Sequence, residues 1–194
     1  MTITILCTAR SGSTNLTNYL GGVLNIPITT SPFMRGSKDI SLLNRGGLFK
    51  LFIHNQTEGF DSLYLFGNEV INRSHKTILY DRRDKEKQSE SLAYRQTRYS
   101  DDLSKYHNKE DYDMSIVPQE KIDECKFHFG EHSLALQQLS ENHNLPIFYY
   151  EDIFLGNGLD NLNEYLSIET NHFLKDLYLN QNKKERVNRN ISLI

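Results

Sequence analysis

Short continuous apolar runs alternate along the chain with longer stretches of helical spacing. Ile3-Thr4-Ile5-Leu6-Cys7-Thr8 reads as a first strand, and residues 14–24 follow as a helix ending near Gly21-Gly22. Residues 25–45, with Pro27, Ser31, Pro32 and Gly36, show no period and read as a loop too long for a mere connection. Leu48-Phe49-Lys50-Leu51-Phe52-Ile53 is a second strand, opened by Gly46-Gly47, and Phe60 to Ile71 is a helix. Thr77-Ile78-Leu79-Tyr80 is a third strand, and Lys85 to Arg98 a helix with Asp84 at its N-cap. Residues 100–116 are polar and tyrosine-rich, an exposed loop or lid. Pro118 to Asn142 is a long helix opened by its proline. Leu145 to Tyr150 is a fourth strand, and a short helix near Leu159–Leu166 precedes a basic tail.

This alternation predicts an α/β fold with three layers: a mostly parallel central sheet flanked by helices, in one domain over residues 1–194. Ligands of such sheets gather at the carboxyl ends of the strands. Three of the predicted strands end in polar clusters, at Arg10-Ser11, Asp81-Arg82-Arg83 and Glu151-Asp152. Composition narrows the function. The net charge of −3 lacks the basic excess of a nucleic-acid binder. Cys7 and Cys125 are too few for a disulfide framework or a zinc cage, so Cys7 is expected to pack as a small hydrophobe. No basic segment precedes the first apolar run, which Arg10 interrupts, and no window offers 18 uninterrupted apolar residues. No signal peptide and no membrane span are expected, and the compartment expected is the reducing cytoplasm.

The densest chemistry lies between the first strand and the first helix, in Arg10-Ser11-Gly12-Ser13-Thr14. Backbone N–H groups and the positive end of the helix dipole face such a loop, and Arg10 and three hydroxyls add side-chain donors. That is a phosphate or sulfate site. The same residues also fit an ordinary helix cap, with Ser13 capping and Arg10 on the surface. A Walker A loop is excluded, because Arg precedes the glycine and no Lys follows it. Arg83 and Ser91 form a second constellation. A guanidinium at a strand end and a hydroxyl eight residues later, two turns into the next helix, can face the same phosphate oxygens.

Arg10-Ser11-Gly12-Ser13-Thr14 resembles the phosphosulfate loop of sulfotransferases that use 3′-phosphoadenosine 5′-phosphosulfate (PAPS), a P-loop-like family. Arg83 with Ser91 resembles that family's 3′-phosphate site. Arg82-Arg83-Asp84-Lys85 followed by Gln88 and Ser91 is similar to the bacterial trehalose-sulfotransferase branch, as is Gly47-Leu48-Phe49-Lys50 before His54-Asn55-Gln56. Tyr150-Glu151-Asp152-Ile153 resembles a segment that supports the fold and the donor loops. The resemblance implies a cytoplasmic enzyme moving a sulfuryl group from PAPS to a hydroxyl or amine of a small-molecule or carbohydrate acceptor, without a metal. Arg10 would hold the reacting sulfate, with Ser11, Gly12, Ser13 and Thr14 around the 5′-phosphate and Arg83 and Ser91 on the 3′-phosphate. Many members carry Lys where Arg10 stands, which makes Lys50 the candidate amine at the leaving oxygen. The general base would be His54, then Glu58, then Asp39. The tail's Lys183, Lys184, Arg186 and Arg189 stand where relatives close over the nucleotide, although their Arg-Lys-Gly motif does not occur. A P-loop kinase of a nucleotide or small metabolite, and a non-catalytic nucleotide-binding module, are the alternative readings.

Overall fold

The computed structural model describes residues 1–30, 39–54, 60–98, 113–169 and 174–179. Its centre is a five-stranded sheet built from β1 (Thr2–Cys7), β2 (Ile28–Thr30), β3 (Gly47–Phe52), β4 (Lys76–Asp81) and β5 (Ile147–Tyr149), in the order β2-β3-β1-β4-β5. Every pairing is parallel, with Leu6 opposite Leu51 on one side and Leu79 on the other. The helices are α1 (Ser13–Leu24), α2 (Leu63–Arg73), α3 (Lys85–Arg98), α4 (Gln119–His143), α5 (Tyr150–Leu155) and α6 (Gly158–Leu166). A further helical turn covers 174–179. This is the three-layer α/β architecture that the strand–helix alternation predicts.

Side chains of successive strand residues point to opposite faces, so β1 serves two cores. Ile3, Ile5 and Cys7 pack with Leu16 and Leu20 of α1 and Leu162 of α6. Leu6 packs the other way, with Phe66 and Val70 of α2 and Leu136 and Leu139 of α4. Cys7 is fully buried, and the buried thiol is pushed up to about 11. It packs as a hydrophobe, as expected. Among the described residues no helix is long and apolar enough to cross a membrane.

Several boundaries depart from the sequence reading. The stretch 25–45 holds the edge strand β2 and a 3-10 turn, Ile40–Arg45, capped by Asp39. Gly21 and Gly22 lie inside α1 rather than ending it. Ile28 of β2 sits against Gly21 so closely that a Cβ there would meet its Cδ1 at 2.2 Å. Glu151 and Asp152, expected at a strand end, form the first turn of α5, because β5 stops at Tyr149. Most of the tyrosine-rich 100–116 loop, and Lys183, Lys184, Arg186 and Arg189 of the tail, lie outside the described residues.

Candidate functional site

The chain leaves β1 through a strained turn. Arg10 takes φ 59° and Gly12 φ 80°, both left-handed. For a non-glycine residue that conformation costs about 1–2 kcal/mol. Gly12 is needed for a second reason: a Cβ on it would lie 2.6 Å from Cδ2 of Tyr150 on α5. The Tyr-Glu-Asp segment thus forms one wall of the loop. Gly12 occupies the N-cap of α1, and no side chain caps that helix. The reading of Ser13 as an ordinary cap is therefore corrected. Ser13 is already helical, and its carbonyl accepts the Thr17 hydroxyl at 2.7 Å. An uncapped N-terminus at the carboxyl edge of a parallel sheet leaves amide donors for an anion.

A buried polar network holds the turn in place. The Thr8 hydroxyl donates to Asp81 Oδ1 at 2.7 Å, and Gln88 Nε2 donates to Thr8 Oγ1 at 2.8 Å and to the Ala9 carbonyl at 2.5 Å. Lys85 Nζ reaches Asp81 Oδ1 at 2.7 Å, and the Ser133 hydroxyl donates to Asp81 Oδ2 at 2.8 Å. Ser11 turns back to donate to the Thr8 carbonyl at 2.8 Å. Asp81 therefore ties β1, β4, α3 and α4 together beneath the loop. The sequence reading names Asp81 in a strand-end cluster and Thr8 in the first strand, gives neither a role, and does not name Ser133. The available signal for Asp81 was a carboxylate closing an otherwise apolar strand.

Two cations converge on the loop from opposite sides. Arg10 Nε donates to Ser91 Oγ at 2.9 Å, which joins the loop to α3. Lys50, 6% exposed, donates from Nζ to Thr14 Oγ1 at 2.9 Å and lies 5.2 Å from the centre of the Phe52 ring. Burial pushes the Lys50 pKa down, opposed by nearby Cys7. Among the described residues no carboxylate pairs with it.

Arg83 is arranged differently. Its guanidinium forms a bidentate ion pair with Asp152 and lies 4.0 Å from the centre of the Tyr149 ring. Asp152 holds the Arg83 proton more firmly than usual. Glu151 accepts the backbone N–H groups of Arg83 at 3.0 Å and Asp84 at 3.1 Å. Ser91 thus has Arg10 as its partner, and Arg83 is engaged with Asp152. Arg82 points inward, its guanidinium 5.1 Å from the Tyr150 ring and its Nε 3.8 Å from Glu151 Oε1. The sequence reading quoted Arg82 only as part of a motif, since no spacing rule separates two adjacent arginines at a strand end.

The candidate bases are distributed as follows. His54 follows β3 and lies between the rings of Phe52 and His132. Solvent reaches the His54 ring, yet the surrounding protein holds its pKa below the ordinary histidine value. Asp39 caps the 3-10 turn, accepting the Ser41 N–H at 2.8 Å and the Ser41 hydroxyl at 2.6 Å. Those bonds lower the Asp39 pKa, which weakens it as a base. Glu58 lies outside the described residues. Among the described residues no group of three His, Cys, Asp or Glu could hold a metal ion.

No family model and no curated protein matches the chain. A solved structure does: a mouse sulfotransferase, SULT7A1, complexed with PAP. The match has a TM-score of 0.56 at 10% identity and covers 92% of this chain. The chain spans 63% of the length of that sulfotransferase. At this identity the likeness is one of fold. The three-layer sheet with its loop after β1 is a sulfotransferase-type fold.

Proposed function

We propose that the chain binds PAPS in the loop after β1 and transfers its sulfuryl group to a hydroxyl or amine of a small-molecule or carbohydrate acceptor. The observation that carries this reading is the Lys50 ammonium: buried, donating one hydrogen bond to the Thr14 hydroxyl, and unpaired by any described carboxylate at the uncapped end of α1. A buried cation is costly unless an anion compensates it. A phosphosulfate on the Ser11–Thr14 amides supplies that anion.

In this reading Arg10 and Lys50 neutralise the charge that develops as sulfur leaves the 5′-phosphate. Arg10 stays protonated and serves as a charge, whereas Lys50, with its lowered pKa, can also give up a proton. The acceptor oxygen or nitrogen attacks sulfur, the sulfur–oxygen bond to the 5′-phosphate breaks, and the electron pair departs on 3′-phosphoadenosine 5′-phosphate. The acceptor proton passes to His54. Catalysis rests on positioning and charge stabilisation, as in phosphoryl transfer. Arg83 selects the 3′-phosphate, once Asp152 has yielded it, and Ser91 serves the same end of the nucleotide once it exchanges its Arg10 partner for phosphate oxygen.

The test is thermal shift with 3′-phosphoadenosine 5′-phosphate against AMP and ATP, with and without magnesium. A shift for the bisphosphate alone, independent of magnesium, is expected. Equal shifts for all three nucleotides, or none, overturn the reading. A magnesium-dependent shift with ATP alone favours the kinase alternative.

A further inference from the structure

A row of rings runs from the end of β3 onto α4. Phe52 and His54 stack with centroids 5.4 Å apart and planes 13° apart. His54 and His132 stack at 5.2 Å and 21°. His132 in turn faces His128, one helical turn earlier, at 6.5 Å, and meets the edge of Phe129 at 6.0 Å. The His54 imidazole thus has two near-parallel rings beside it, Phe52 on its own strand end and His132 on α4. Lys50 touches the same row through Phe52. His132 Nδ1 is buried and has no hydrogen-bond partner.

This arrangement exceeds what core packing requires. An aliphatic side chain would fill the space beside His54 without burying an unsatisfied ring nitrogen. The charges around the row are Lys50 on β3, Asp81 at the end of β4, Lys85 on α3 and His128 on α4, with Glu124 and Glu131 flanking His128 at 3.9 Å and 3.4 Å. Asp81 favours a proton on His132, while burial, His54, His128 and Lys85 oppose it. The balance brings His132 down to about 4. Although solvent reaches His54, desolvation by the protein around it lowers its pKa as well.

We propose that His132 is the positioning residue of the base: its ring closes one face of His54 and fixes the plane in which that imidazole takes the acceptor proton. The inference rests on His54 being the base of the proposed transfer. His132 itself touches no reacting atom. Its second function is to keep water off the covered face, which disfavours protonated His54 and leaves the base free.

The experiment follows the His54 ring by NMR titration of the full chain, labelled at histidine, in the wild type, His132→Ala and His132→Phe. The same three proteins are assayed for sulfuryl transfer from PAPS to 2-naphthol, glucose and trehalose across pH. Removing the ring in His132→Ala is expected to raise the His54 midpoint toward that of an ordinary histidine and to move the acid limb of kcat upward with it. His132→Phe keeps a flat ring, and wild-type values are expected. His132→Leu, which fills space without a flat ring, replaces His132→Ala if that variant does not fold, and the same upward shift is expected. An unchanged His54 midpoint and acid limb in the ring-less variant overturn the proposal while leaving the base reading intact. His54→Gln separates the two: full transfer by that variant removes the base and, with it, the role given to His132.

Discussion

The two flanks of the Arg10–Thr14 loop treat their cations in opposite ways. On the β3 flank, Lys50 is 6% exposed and has a hydroxyl and a ring for partners. On the β4 flank, Arg83 has a half-exposed side chain and is already held by a bidentate carboxylate. An anion arriving at Lys50 meets no described competitor and supplies the charge that burial withholds. An anion arriving at Arg83 must first displace Asp152. Charge pairing in low dielectric is worth far more than at an exposed rim, where water screens it. For the proposed nucleotide site, the contrast assigns affinity to the β3 flank and discrimination among nucleotides to the β4 flank.

The largest effect is expected from Lys50→Met, which keeps much of the volume and removes the charge. Affinity for 3′-phosphoadenosine 5′-phosphate should fall roughly 30- to 100-fold, the scale of a lost charge-assisted bond. The melting temperature of the free protein should hold or rise, because an uncompensated buried charge is gone. Calorimetric titration and a thermal melt read both, and a drop in melting temperature with binding intact would reverse the contrast.

Arg83→Ala should weaken the bisphosphate about five- to tenfold and leave AMP unchanged, in keeping with a screened, pre-paired guanidinium. Its stability should change by less than about 1 kcal/mol. The comparison sharpens with Asp152→Asn, which frees Arg83: bisphosphate affinity should then rise by about two- to fivefold. Tightening for AMP to the same degree would show that Arg83 does not read the 3′-phosphate.

A separate effect, on stability rather than binding, concerns the β3 flank. Burial, with the neighbouring positive charges, brings the folded-state pKa of His132 down to about 4, against 6.5 for an ordinary histidine. Between those values the unfolded chain holds more protons, so stability falls as pH drops from 6.5 toward 4 and then levels. The loss should be on the order of 2 kcal/mol, allowing for partial solvent access. Urea melts across that window measure the slope, and His132→Phe should flatten it.

Long elements were the easiest to read. The Lys85–Arg98 helix was bounded correctly because Asp84 caps it, accepting the Lys87 N–H at 3.0 Å. β1, β3 and β4 announce themselves as apolar runs, since a parallel sheet covered on both faces asks for nothing else. β2 did not: Ile28-Thr29-Thr30 is short and at the edge, and its pairing with β3 is a long-range event. Tyr150 to Asp152 misled for a related reason, because the apolar run that makes β5 continues into α5 without punctuation.

At the candidate site the division is sharper. Residue type and spacing along β1 and into α1 single out Arg10–Thr14 as the candidate anion loop, because a strand, a glycine and a helix start are local features. Nothing local says which cation faces that loop. Lys50 lies 36 residues from Thr14, Ser91 lies 81 from Arg10, and Ser133 lies 52 from Asp81. Packing of β3, α3 and α4 around β1 brings each pair together. Folding made Arg10 the partner of Ser91, tied Arg83 to Asp152 and stacked His132 on His54. Spacing counts residues along the chain, whereas charge compensation and burial depend on distances through space.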